Sequence, residues 1–437
     1  MARGDVLPSE KRSFKQQETG VRVVQLTDSP GRNQNAYYNE EQFTADAESL
    51  IFRSDRSGRR QLYCVEIDSG RITQLTDAPS EGVGGFTVDA QRRLVYFGDG
   101  LGNIARLNLD TLQEEVVAEP LEGCTPLSGG DLSSCGRYLA VSTRPLDARI
   151  HRWPNHHFRN GTETMALVCD VEAQKQAVLY HGPSPEVPVA PDSHLMLSRG
   201  DPSYLWWGSY SRSHPTGFKT IWALKYEPES LMPLADPYPL FDQRPCEFIN
   251  HYYPVADCHV QMPLYQYTQV DSKGVPTATT RPGNVSRAGA YIPYLLDIDL
   301  CSGMTKRWPF PGQPPLHFQR CHAGDLWAGD CADPGFLWFE GRDAMDLWEE
   351  KVDPARCPAI PGDHSHHWLG SGAWIGVFRL RGSYIEVRPL VRHDTEWASV
   401  HPHPVFSPDD RWIAYASGNS RDSQIFVAEA VWPAQFT

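Results

Sequence analysis

The sequence has no uninterrupted apolar run of about 18 residues, which leaves no expected transmembrane helix. Its opening Met-Ala-Arg-Gly-Asp-Val-Leu-Pro lacks the apolar core of a signal peptide, so a cytoplasmic location and no membrane partner are expected. The ten cysteines include no CxxC pair; this excludes the usual zinc and thioredoxin spacings, and they read as reduced thiols that pack in strands and loops. Basic residues are in short supply, 40 Lys and Arg against 54 Asp and Glu for a net charge of −14, which argues against a nucleic-acid partner. There is also no GxSxG nucleophile elbow, no Gly-His or Trp-Asp signature of WD40 blades, and no helical period sustained beyond a turn or two.

What the chain does have is 35 glycines, 36 prolines, 13 tryptophans and an internal repeat. Seven turns recur, at Asp46-Ala47, Asp89-Ala90, Cys135-Gly136, Asp192-Ser193, Asp257-Cys258, Ala323-Gly324 and Asp409-Asp410. Most are followed by an apolar strand, a loop, a second β-rich strand and a short polar strand. The first unit reads Leu50 to Ser54, Gln61 to Ile67 and Arg71 to Thr76; the second reads Leu94 to Phe97, Ile104 to Leu109 and Glu114 to Val117. Four strands per roughly 45 to 70 residues is the pattern of a propeller blade. The last unit has only three strands, whereas Val21 to Thr27 is a spare one ending in the same Leu-Thr-Asp as the first blade's outer strand. The expected fold is therefore all-β, a seven-bladed β-propeller spanning residues 1–437 as a single domain, its ring closed by the N-terminal strand joining the last blade.

In a propeller the innermost strands of all blades face one channel. The residues six before each turn are Glu40, Val83, Gly129, Glu186, His251, His317 and His403, and His401 shares a strand face with His403 by the period of two. Four imidazoles on neighbouring inner strands form a donor set suited to a divalent metal. The richer-looking Asp363-His364-Ser365-His366-His367 follows Pro358, Pro361 and Gly362 in a long insertion and reads as a substrate-covering loop. His156 and His157 read as another blade insertion.

Arg3-Gly4-Asp5 through Glu10, Thr19-Gly20-Val21 with Gln25 to Asp28, Pro314-Pro315-Leu316-His317 with Gly329-Asp330, and Val400-His401-Pro402-His403-Pro404 with Phe406 to Asp409 resemble the oligogalacturonate lyase family. Asn250-His251-Tyr252 falls where that family carries a functional histidine. The resemblance implies a seven-bladed propeller that cleaves short pectin-derived uronides by β-elimination, with His317, His401 and His403 holding a divalent metal, Mn2+ before others. The chain departs from the family at Ala398, in place of a metal-binding glutamine, at Lys219-Thr220, in place of an arginine, and at Gln34, where relatives often carry histidine. Within this frame His251 is the first candidate for the catalytic base and Lys219 the second. Tyr37, Tyr38, Glu40, Glu186 and His393 are candidate substrate-binding groups, and the partner is a small oligosaccharide met by a monomer or homo-oligomer. Two readings of other classes remain open. One is a glycoside hydrolase using Glu40 and Glu186, or an eliminase acting on another sugar. The other is a non-catalytic binding propeller of the TolB type.

Overall fold

The computed structural model describes residues 1–79, 82–152, 160–184, 191, 194–208, 221–241, 247–249, 251–255, 258–267, 272, 291–310, 315, 317–330, 374–395, 400–419 and 421–433. It is all-β; seven of its antiparallel sheets are the blades of a propeller, and Ile150–Arg152 with Asn160–Thr162 forms a separate two-stranded ribbon. Blade 2 is the simplest, with Phe86–Asp89 innermost, then Leu94–Gly98, Ile104–Asn108 and Glu114–Ala118. Among the described residues, no helix is long and apolar enough to cross a membrane.

The N-terminus closes the ring, as expected, and does so twice over. Arg22–Gln25 pairs with Ser423–Glu429, placing Val23 opposite Ala428, and Arg12–Lys15 adds a fifth strand outside it. Just upstream, Val6–Leu7 pairs with Ile72–Gln74 on the outer edge of blade 1. One short segment is thus hydrogen-bonded to both the first and the last blade, and the edges that would otherwise be open are paired.

Packing between blades follows from strand alternation. The buried apolar residues form seven clusters, each shared by two neighbouring blades. In the second strand of blade 1, Leu50 and Phe52 face blade 7 while Ile51 faces blade 2. In blade 4, Leu205 and Trp207 face blade 3 while Trp206 faces blade 5. Successive side chains point to opposite faces, and both faces are covered, so these strands read as continuous apolar runs.

The structure shifts two of the turns read from sequence. In blade 2 the left-handed residue is Arg93, with φ of 56°, so the turn runs past Asp89-Ala90 to Arg93. In blade 4 the inner strand is Met196–Leu197 and the turn follows Ser198; Asp192 and Ser193 lie outside the described residues. In the inner segment 400–406 of blade 7 only Val405–Phe406 is strand, and residues 400–404 are irregular.

Phe52, fully buried between blades 1 and 7, tests the closure. Phe52→Ala is expected to lower unfolding stability by about 3–5 kcal/mol, whereas Leu101→Ala, at a side chain 67% exposed, changes it by less than about 0.5 kcal/mol. Denaturant titration measures both.

Candidate functional site

The hairpin registers decide which residues reach the channel. Thr44, Ser133, Ser198, Cys321 and Ser407 each donate a backbone hydrogen bond to the start of the next strand. Asp89 and Val255 hold the matching places in blades 2 and 5. Four residues upstream stand Glu40, Gly85, Gly129, His194, His251, His317 and His403. The register returns five of the positions expected from sequence and replaces two. Gly85 takes the place assigned to Val83, because the blade 2 turn is longer. His194 takes the place assigned to Glu186, because the blade 4 turn lies farther along the chain. The turn-forming Arg199-Gly200-Asp201-Pro202 ahead of the apolar Tyr204–Gly208 was the signal for His194.

The four histidines form a continuous arc. Ring centroids are 4.9 Å apart for His194 and His251, 4.5 Å for His251 and His317, and 4.4 Å for His317 and His403. His401 lies 5.0 Å from His317 and 5.5 Å from His403. The two HxH rings meet His317 for a reason other than strand alternation. His403 is in the left-handed region with φ of 46°, a conformation costly for a non-glycine residue. Asn35 holds that backbone in place by donating from Nδ2 to the carbonyls of Pro402 (3.1 Å) and His403 (2.6 Å).

One donor atom each from His317, His401 and His403 lies within 4.8 Å of the others. The buried Asp330 accepts from the backbone N–H of His317 at 2.9 Å and meets its Nδ1 at 2.7 Å. A carboxylate there fixes the tautomer, leaving Nε2 as the lone-pair nitrogen. His403 Nε2 is buried with no hydrogen-bond partner among the described residues. Burial first, and neighbouring imidazoles second, hold His317 and His403 well below the usual histidine range, so both are neutral at pH 7. Neutral imidazoles with converging nitrogens are the state a metal ion requires, and the residues present fit a divalent ion.

A cavity of about 460 Å³ is walled by Tyr37, Glu40, Arg53, Asp131, His194 and His403, with Gly85 and Gly129 among its other linings. A Cβ on Gly129, whose φ is 148°, would come within 3.0 Å of the Gly85 Cα, so these blades contribute backbone where blades 4 to 7 contribute imidazole. A smaller space of about 200 Å³, lined by Arg32, Gln34, Asn35, His401 and His403, adjoins the same residues.

Tyr37 bridges the two halves, its hydroxyl 2.6 Å from His194 Nε2 and its ring 4.7 Å from His403. Tyr38 is buried beneath the arc, donates to the Tyr252 carbonyl at 2.6 Å and packs 5.1 Å from His317. Burial holds the Glu40 carboxyl above its ordinary range, and the nearby Asp131 adds to this while Arg199 opposes it. His393 is buried and absent from the lining of both cavities; burial lowers it to about 4, against a smaller opposing pull from Asp330. Lys219, Glu186, Ala398, His156, His157 and the 363–367 cluster lie outside the described residues.

Two outcomes follow from this geometry. Asp330→Asn is expected to weaken divalent-metal binding roughly ten- to hundredfold, read by calorimetric titration of metal-stripped protein. The unfolded chain takes up a proton on His393 near 6.5, the ordinary histidine value, while the folded chain does so only near 4. That group's stability is therefore present above pH 6.5 and lost as pH falls toward 4. Denaturant titration of the metal-stripped protein is expected to show a steeper loss between pH 6.5 and 5 for wild type than for His393→Gln.

Comparison with known proteins places the molecule. The family model described as oligogalacturonate lyase matches residues 1–128. The oligogalacturonide lyase of Pectobacterium atrosepticum is 25% identical over 117 residues, 27% of this chain and 30% of that protein. The oligogalacturonate lyase of Dickeya dadantii is 25% identical over 114 residues, 26% of this chain and 29% of that protein. These alignments thus span under a third of either relative. Among solved structures, an oligogalacturonate lyase in complex with manganese superposes with a TM-score of 0.70 at 17% identity, covering 98% of both chains. The enzyme from Vibrio parahaemolyticus gives 0.69 at 16% identity, with the same coverage. The family-model match ends before the histidine strands, which the fold likeness includes. The first 128 residues are similar in sequence to the oligogalacturonate lyase family, and along its length the chain has the fold of the solved oligogalacturonate lyases.

Proposed function

We propose that this chain is a metal-dependent lyase, a single catalytic propeller domain that cleaves short uronic-acid oligosaccharides by β-elimination to an unsaturated uronide. The observation that carries this reading is the convergence of His317, His401 and His403, buttressed by Asp330, with His403 on the wall of a cavity of about 460 Å³. That size suits a short saccharide.

His317, His401 and His403 would hold the ion, and three imidazole donors suit a transition-metal dication, Mn2+ first by likeness to the manganese-bound neighbour. When bound, it supplies a Lewis acid at the uronate carboxylate, which eases loss of the proton on the adjacent carbon. His251, next to His317 in the arc, takes H5; the electron pair becomes the C4=C5 double bond as the C4–O4 bond breaks. Glu40, held above the ordinary carboxylate range, keeps a proton for hydrogen bonding to the sugar and for the departing oxygen. Tyr37 orients His194 through its 2.6 Å contact and offers a ring to the substrate. Lys219 remains the second candidate for the base.

The test is a panel of short uronides assayed for ultraviolet absorbance of the new double bond, with metal content measured alongside. Wild type is expected to carry about one equivalent of a divalent ion and form unsaturated product. His317→Ala and His401→Ala lose both, while His251→Ala keeps the metal and loses roughly 10²- to 10⁴-fold in kcat. A saturated product from wild type, or full activity without metal, sinks the lyase reading.

A further inference from the structure

Arg53 is the penultimate residue of the second strand of blade 1, Ser49–Ser54, and lines the large cavity together with His403. Two of its five N–H donors account for its hydrogen bonds, Nη1 to the Gly84 carbonyl and Nη2 to Gln34 Oε1, both at 2.8 Å. Its Nε is buried with no hydrogen-bond partner, and no carboxylate pairs with the guanidinium among the described residues. Other interior arginines of this molecule are neutralised: Arg199 by Asp131 at 2.8 Å, and Arg56 by Glu10 at 3.0 Å. Burying a cation without a counter-charge is costly, and such a group is commonly kept for a ligand.

The charges around Arg53 reinforce the point. Arg60 and Arg32 add positive charge close by, and burial together with these two brings Arg53 down to about 10, so it stays cationic at neutral pH. Of the two carboxylates on the cavity wall, Asp131 is taken up by Arg199 and Glu40 is held toward its protonated form. In a chain of net charge −14, this pocket is locally positive.

We propose that Arg53 is a second carboxylate-binding residue, gripping one carboxylate of an oligouronide while the unit that reacts lies at the histidine cluster. This deepens the lyase reading and rests on it for the placing of the reacting unit. The guanidinium keeps a second N–H on each of Nη1 and Nη2 beyond those given to Gly84 and Gln34, a pair that matches a carboxylate's two oxygens. The substrate is accordingly an oligouronide with a free carboxylate on a unit next to the reacting one, and esterification of that carboxylate abolishes the advantage.

The test is isothermal titration of the full metal-stripped chain with a galacturonate disaccharide and with its two monomethyl esters, so that elimination does not intrude. Wild type is expected to bind the free disaccharide roughly ten- to hundredfold more tightly than Arg53→Gln does. Arg53→Lys, which keeps the charge but not the fork, recovers only part of this. One monoester binds wild type as weakly as the free disaccharide binds Arg53→Gln, and that variant is indifferent to the same esterification. Thermal melting of all three proteins reports whether each is folded. Equal affinity of wild type and a folded Arg53→Gln for the free disaccharide, equal sensitivity of both to both esters, or no binding by wild type overturns the assignment. Arg53-dependent binding by a wild-type protein that forms no unsaturated product upholds the assignment and overturns only the lyase reading.

Discussion

Closure of the ring is the constraint on which everything else here rests. Val23 and Val24 are consecutive residues of one short strand, and they enter two different interfaces, between blades 6 and 7 and between blades 7 and 1. Each blade is covered on both faces only if its two neighbours are present, so an open ring would expose two broad apolar faces to water. The convergence of inner strands, and with it the histidine arc, exists because the N-terminal segment is tied to both ends of the series.

Within the closed ring the seven inward positions are chemically uneven. Blades 4 to 7 supply four imidazoles, blades 2 and 3 supply glycines, and blade 1 supplies a carboxyl. A propeller of near-equal blades thereby acquires a directional channel, with metal-ligating chemistry on one side and open volume on the other. The close approach of Gly85 and Gly129 sustains that asymmetry, since a Cβ on Gly129 would press on the Gly85 backbone.

Electrostatics follows from the same arrangement. Burial keeps His317 and His403 neutral and Glu40 toward its protonated form, each the less charged state that a low-dielectric interior favours. Asp330 is buried opposite His317 Nδ1, where its charge fixes the direction in which the ring presents its other nitrogen. The arc also carries backbone strain: His194 and His403 both have left-handed backbones, with φ of 55° and 46°. Packing of the flanking strands has to offset that cost.

The sequence by itself determined the all-β repeat, the number of blades, the strand that closes them, and three of the four arc histidines. All of these are encoded in local periodicity: alternation reports a strand, a repeated turn reports a blade, and a repeated offset reports a direction. Only the tertiary structure decided the rest. His194 and Gly85 became inward residues because hairpin length is settled by which turn conformation the packed strands accept, and a shift of a few residues changes the inward one. His401 and His403 meet His317 through a left-handed residue that no pattern of alternation specifies. Arg53 reads in sequence as one more polar residue in a strand. Its place at the cavity wall, with no carboxylate to pair it, comes from residues of blades 1 and 2 that the closed ring brings together.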